Sequence, residues 1–83
     1  MVDKAAQKQL DRLPADDFTR VDAAILSMRV DPFTGDIEHL KNDRYGYRRR
    51  VGNYRILFDV DTAARRVRVG DVKRRTTTTY KRR

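Results

Sequence analysis

The spacing of apolar residues changes its period once along this chain, and that change restricts it to few layouts. Ala6, Leu10 and Leu13 recur at helical spacing after Asp3, a residue suited to cap a helix. Pro14 ends that run. A second run starts near Ala15–Asp17, where acidic side chains suit the positive end of a helix. It continues through Phe18, Val21, Ile25 and Met28 and stops at Asp31-Pro32. So short a connection predicts an antiparallel helical hairpin, each helix with one apolar stripe. Phe33-Thr34-Gly35-Asp36 reads as loop, and Ile37-Glu38-His39-Leu40 as at most a helical turn.

From Tyr45 the period is two. Tyr54, Ile56, Phe58 and Val60 alternate with Arg55, Leu57 and Asp59, which predicts a strand with one wholly apolar face. Gly52-Asn53 just before it reads as a two-residue hairpin turn, with Gly at the first central position as a type II′ turn requires. The preceding strand is then about 45–51. Asp61-Thr62-Ala63-Ala64 makes a second turn, and Arg66, Val67, Arg68 and Val69 alternate again. The expected fold is α+β: a helical hairpin over about 3–30 packed on a three-stranded antiparallel meander over about 45–72, followed by a basic tail over 73–83. The 83 residues hold one domain.

Charge is divided along the same line. Residues 1–43 carry six basic and nine acidic groups, whereas residues 44–83 carry fourteen basic and three acidic ones. A net charge of +11 in one block, most of it Arg, exceeds what solubility asks for and marks a polyanion-binding surface. The absence of Cys excludes disulfides and thiolate metal sites, and a lone His39 argues against a histidine-based one. No apolar run reaches the length of a membrane span, and residues 1–15 are charged throughout without the apolar core of a signal peptide. A cytoplasmic protein without metal or other cofactor is expected. His39 itself reads as a surface loop residue.

Four stretches carry a resemblance. They are Lys4-Ala5-Ala6-Gln7-Lys8-Gln9-Leu10-Asp11-Arg12-Leu13-Pro14, Asp31-Pro32-Phe33-Thr34-Gly35-Asp36, Tyr47-Arg48-Arg49-Arg50-Val51-Gly52-Asn53-Tyr54-Arg55-Ile56-Leu57-Phe58 and Val67-Arg68-Val69-Gly70. In this order they resemble the RelE/ParE superfamily of toxins from type II toxin–antitoxin systems, the third stretch being the most specific. The resemblance implies two helices on one face of a small antiparallel sheet and a basic surface on the other. It implies an acidic, RelB-like antitoxin as partner. Family members usually open with a strand, whereas this chain begins at the helix, either without that strand or with a shortened start; a missing strand would leave a sheet edge unpaired and the core small. The RelE-like branch cuts mRNA on the ribosome; the ParE-like branch inhibits DNA gyrase. A third possibility is an inactive remnant that only binds antitoxin.

Metal-independent RNA cleavage uses the 2′-hydroxyl as nucleophile. It needs a proton acceptor, cations around the pentavalent phosphate and an acid for the departing 5′ oxygen. Arg48 and Arg50, two apart, share one face of their strand, and Arg55 lies opposite the apolar face of the next. The resemblance implies phosphate stabilisation by Arg48 and Arg55, stabilisation of the leaving group by Arg74 and stacking or orienting of a base by Tyr80. Lys73, Arg75 and Lys81 are expected to bind RNA. Arg50 stands where the RelE-like pattern offers a Lys as base. Arginine keeps its proton, so Lys73, Tyr80, water or ribosomal RNA would take that role. Arg48, Arg50, Arg55 and Arg74 are expected together on the sheet face away from the helices. The rival reading of Arg55 is a salt bridge to Asp59 or Asp71. Arg49, by parity, points to the helices and is expected to snorkel or to pair with Asp17 or Asp22.

Overall fold

The structure is a computed structural model that describes residues 1–74. Helix α1 spans Lys4–Asp11 and α2 spans Ala15–Val30; strands follow at β1 Asp36–His39, β2 Tyr47–Val51, β3 Tyr54–Asp61 and β4 Arg66–Arg74. The strands form one antiparallel sheet in the order β1-β2-β3-β4. Both helices lie on the same face, where Ala6, Leu10, Val21, Ala24, Ile25 and Met28 meet Tyr54, Ile56, Phe58, Val69 and Val72 in a single buried cluster. The two stripes read from helical spacing are thus the buried stripes, apart from Leu13 and Phe18, which are partly buried at its margin. Full burial of Ile56 and Phe58 is worth about 1.5–3 kcal/mol each. At the β2–β3 turn, Gly52 has a φ of 57° and Asn53 does not take a positive φ, the φ pattern of a type II′ turn.

Three features differ from the sequence expectation. Residues 36–39 form a strand, not loop and helical turn, so the sheet has four strands rather than three. Its side chains are paired by charge: Glu38 lies opposite Arg48 and Asp36 opposite Arg50. That stabilisation exists only once β2 is alongside. A four-residue, charged segment has no strand signature of its own, and such segments suit an edge that must not recruit further strands.

The last strand runs on to Arg74, so Lys73 and Arg74 belong to the sheet and not to a tail. It contains a register shift. Asp71 pairs with Leu57 but Val69 pairs with Phe58, leaving Gly70 as the extra residue of a bulge. The bulge inverts parity beyond it: Val67 and Val69 face the helices, and after Gly70 so do Val72 and Arg74. Gly70 is buried, and a side chain there would run into the ring of Tyr45.

No strand precedes α1 among the described residues, but the edge of β4 is not left unpaired as a missing strand would leave it. Val2 forms a parallel bridge with Val69. The amides of Asp3 and Val69 donate to the carbonyls of Val69 and Met1, each at 2.8 Å. Further along, the Val72 amide donates to Oε1 of Gln9 at 2.8 Å, a side chain taking the place of a strand. Asp3 precedes α1 without a side-chain capping bond; its carboxylate accepts instead from Nε of Arg68 at 3.0 Å.

Candidate functional site

The face of the sheet away from the helices carries the basic residues in rows set by the register. One row runs Asp36, Arg50, Arg55 and Lys73 across all four strands. The next runs Glu38, Arg48, Leu57 and Asp71. Like charges directly opposite one another in a sheet repel, and three adjacent cations in one row are a cost to the fold. An anionic ligand lying across the row would reverse the sign of that cost.

The cations differ in how they are held. Arg48 is tied down: its Nη2 and Nε approach Oε1 of Glu38 at 2.7 and 3.0 Å, and its side chain is only 12 % exposed. Arg50 is 3.7 Å from Asp36, an electrostatic pairing beyond hydrogen-bond reach, and Lys73 is 3.6 Å from Asp71. Arg55 is exposed and has no carboxylate within salt-bridge distance among the described residues. Neither rival partner is engaged with it. Asp59 accepts the Gly46 amide at 2.7 Å, and Asp71 sits beside Lys73. The centre of the row is therefore a free guanidinium flanked by two loosely held cations, while Arg48 is a structural ion pair at its border.

Arg74 is not on this face. The bulge at Gly70 puts it opposite Tyr54, on the helix side, and brings Lys73 into register with Arg55 instead. The expected set of four arginines on one surface thus resolves into Arg50, Arg55 and Lys73 in one row, Arg48 beside it and Arg74 across the strand. Tyr80, Arg75 and Lys81 lie outside the described residues. Near Arg74, the phenol of Tyr54 donates to Oδ2 of Asp17 at 2.9 Å. Burial, then this bond and the Asp17 charge, raise the Tyr54 pKa above its ordinary value.

Arg49 does point to the helices, but it pairs with neither Asp17 nor Asp22. Its Nη1 donates to the Ala24 carbonyl at 3.2 Å and to Oγ of Ser27 at 2.9 Å, strapping β2 to α2. Its Nε is buried and has no hydrogen-bond partner among the described residues. The guanidinium lies against Gly35, whose φ of 89° and lack of a side chain leave room for it. His39 is exposed, and its ring lies 5.0 Å from that of Tyr47.

No protein-family model and no curated protein sequence matches the chain. Solved structures do. The archaeal RelE–RelB complex from Pyrococcus horikoshii OT3 contains a chain matched with a TM-score of 0.77 at 22 % identity, over 92 % of this chain and 92 % of that one. The RelB–RelE antitoxin–toxin complex from Methanococcus jannaschii is matched with a TM-score of 0.73 at 25 % identity, over 96 % of this chain and 94 % of that one. The fold, two helices on a four-stranded antiparallel sheet, is RelE-like. No helix among the described residues is long and apolar enough to cross a membrane.

Proposed function

We propose that this chain is the toxin of a type II toxin–antitoxin pair and a ribosome-dependent mRNA endonuclease. The observation that carries the reading is the Arg50–Arg55–Lys73 row, with Arg55 free at its centre on the open face of a RelE-like sheet. A phosphodiester laid over the row meets Arg55 directly. Charge that builds on the equatorial oxygens during attack by the 2′-hydroxyl is stabilised by a donor that need not first leave a carboxylate. Arg50 and Lys73 hold the flanking phosphates. Lys73 is the one cation of the row able to give up its proton, which makes it the candidate to take the 2′ proton. Tyr80 keeps the base-stacking role that the resemblance implies, whereas Arg74, registered with Tyr54 on the helix side, is assigned no step on this face. The partner is an acidic antitoxin, as the resemblance implies and as the basic half of this chain suits; RelB is the other component named in both matched complexes.

The test is mRNA cleavage on translating ribosomes by the wild type and Arg55→Ala, beside a gyrase supercoiling assay. Cleavage lost in Arg55→Ala with its circular dichroism unchanged supports the endonuclease. Inhibition of supercoiling without cleavage would assign the chain to the gyrase-directed branch, and inactivity in both assays to an antitoxin-binding remnant.

A further inference from the structure

The end of the sheet farthest from the Arg50–Arg55–Lys73 row holds a second feature. A groove of about 430 Å³ lies between the last turn of α2 and the β3–β4 turn. Val30, Phe33 and Val60 give it apolar walls, and Arg29, Arg65 and Arg66 stand on it. Val30 is 90 % exposed and Phe33 47 % exposed, large apolar surfaces left in water on a small domain. None of the lining residues is acidic. Among the described residues, none of these three arginines has a carboxylate within salt-bridge distance, whereas Arg48, Arg50, Arg68 and Lys73 each do. Arg65 also takes a φ of 54°, a left-handed backbone that Gly or Asn would occupy with less strain.

We propose that this groove docks an acidic peptide segment bearing bulky apolar side chains. The apolar groups seat against Val30, Phe33 and Val60, and the carboxylates face Arg29, Arg65 and Arg66. With Phe33 as its one aromatic wall beside Val30 and Val60, the groove favours a peptide over a nucleic acid strand, which would need a stacking surface for each successive base. Residues 75–83 hold four basic and no acidic side chains, so the chain's own last segment lacks the charge that would complement the three arginines. The proposal does not depend on RNA chemistry; the toxin–antitoxin reading only names a source for such a segment.

The test selects peptides from a displayed random library on the full chain and measures an enriched peptide against variants by fluorescence anisotropy. Enriched sequences are expected to combine Asp or Glu with Leu, Ile or Phe. Val30→Asp, and separately Arg65→Glu with Arg66→Glu, are expected to weaken the peptide by about tenfold or more. Amide shift changes on peptide addition should fall on residues 28–33 and 60–67. Ribosome-dependent cleavage by Val30→Asp is expected to be unchanged, so a failed groove and a failed endonuclease read separately. The proposal is overturned by no enrichment, by enriched peptides lacking either acidic or apolar side chains, or by equal affinity in the variants. It is also overturned if a uridine-rich oligonucleotide moves the groove amides and the peptide does not. Self-association of the chain that Val30→Asp abolishes would give the groove to a second copy.

Discussion

Arg50 and Arg55 are direct cross-strand partners in the β2–β3 hairpin, and Lys73 faces Arg55 from the other side. A fold selected for stability alone would place a carboxylate or a neutral residue at the centre of such a row. Arg55→Ala is therefore expected to leave the domain at least as stable as the wild type, within about 1 kcal/mol on the favourable side, because it removes two repulsions. The same change is expected to lower cleavage about 10²–10³-fold, the usual loss for one oriented donor at developing charge. Urea denaturation beside ribosome-dependent cleavage checks both halves. A marked loss of stability would mean that Arg55 holds the sheet together rather than a phosphate.

Affinity for single-stranded RNA is expected to fall with salt in proportion to the phosphates the row neutralises. Three contacts give a log–log slope of about −2. A filter-binding series across salt concentrations measures it, with Arg55→Ala expected to reduce the slope by about one contact. A slope near zero would remove the row from the RNA path.

The Tyr54–Asp17 bond gives a pH signature. The folded-state pKa of Tyr54 is raised, by burial first and then by Asp17. Its contribution to stability is accordingly complete below the unfolded tyrosine value of 10.0 and is lost as pH rises from there through the higher folded value. Tyr54→Phe is expected to cost about 1 kcal/mol near neutrality. Above pH 10 the gap between the two proteins should narrow, since the wild type loses stability that the variant never had. Thermal denaturation of both over an alkaline series shows the convergence or its absence.

Much of this layout is legible in the sequence, and its exceptions share a cause. The helical stripes and the Tyr54–Val60 alternation each carry their own signal because one face of each element is buried by the same core. Gly52-Asn53 specifies its turn by backbone chemistry. Strand β1 is invisible because Glu38 and Asp36 gain their strand conformation from arginines ten or more residues away in the chain. The row of Arg50 with Arg55 follows from the hairpin turn, but the place of Lys73 in it does not. That place is set by the Gly70 bulge, and simple alternation from Val67 and Val69 carries Arg74 to the open face instead. What makes room for the bulge, Tyr45 against a residue without a side chain, is a tertiary contact.

That contact is open to test. Gly70→Ala would drive a methyl group into the Tyr45 ring and is expected to cost about 1–3 kcal/mol. Adding Tyr45→Ala to it should recover part of the loss, since the two positions share one space. A double-mutant cycle in urea gives the coupling. Additive losses would show that Gly70 is needed for its backbone alone.

The sharpest consequence of the bulge concerns which cation at the end of β4 serves the open face. Lys73 is registered with Arg55, and Arg74 with Tyr54 on the helix side. Both are exposed, and neither is part of the buried cluster, so Lys73→Ala and Arg74→Ala are each expected to remain folded. If RNA lies along the Arg50–Arg55–Lys73 row, Lys73→Ala should weaken RNA binding more than Arg74→Ala, because only the former removes a charge from the row. Catalysis separates the residues further. A group that takes the 2′ proton lowers the cleavage rate of bound substrate when removed, beyond any loss of binding. Lys73→Arg, which keeps the charge but does not release a proton, should then restore binding and not cleavage. Single-turnover cleavage with saturating ribosomes, measured for Lys73→Ala, Lys73→Arg and Arg74→Ala, distinguishes these roles. If Lys73→Arg cleaves like the wild type, Lys73 contributes charge only and the proton goes elsewhere. If Arg74→Ala is the most damaging of the three, the reaction is served from the helix-side rim of the sheet, and the Arg50–Arg55–Lys73 row is reduced to a binding surface.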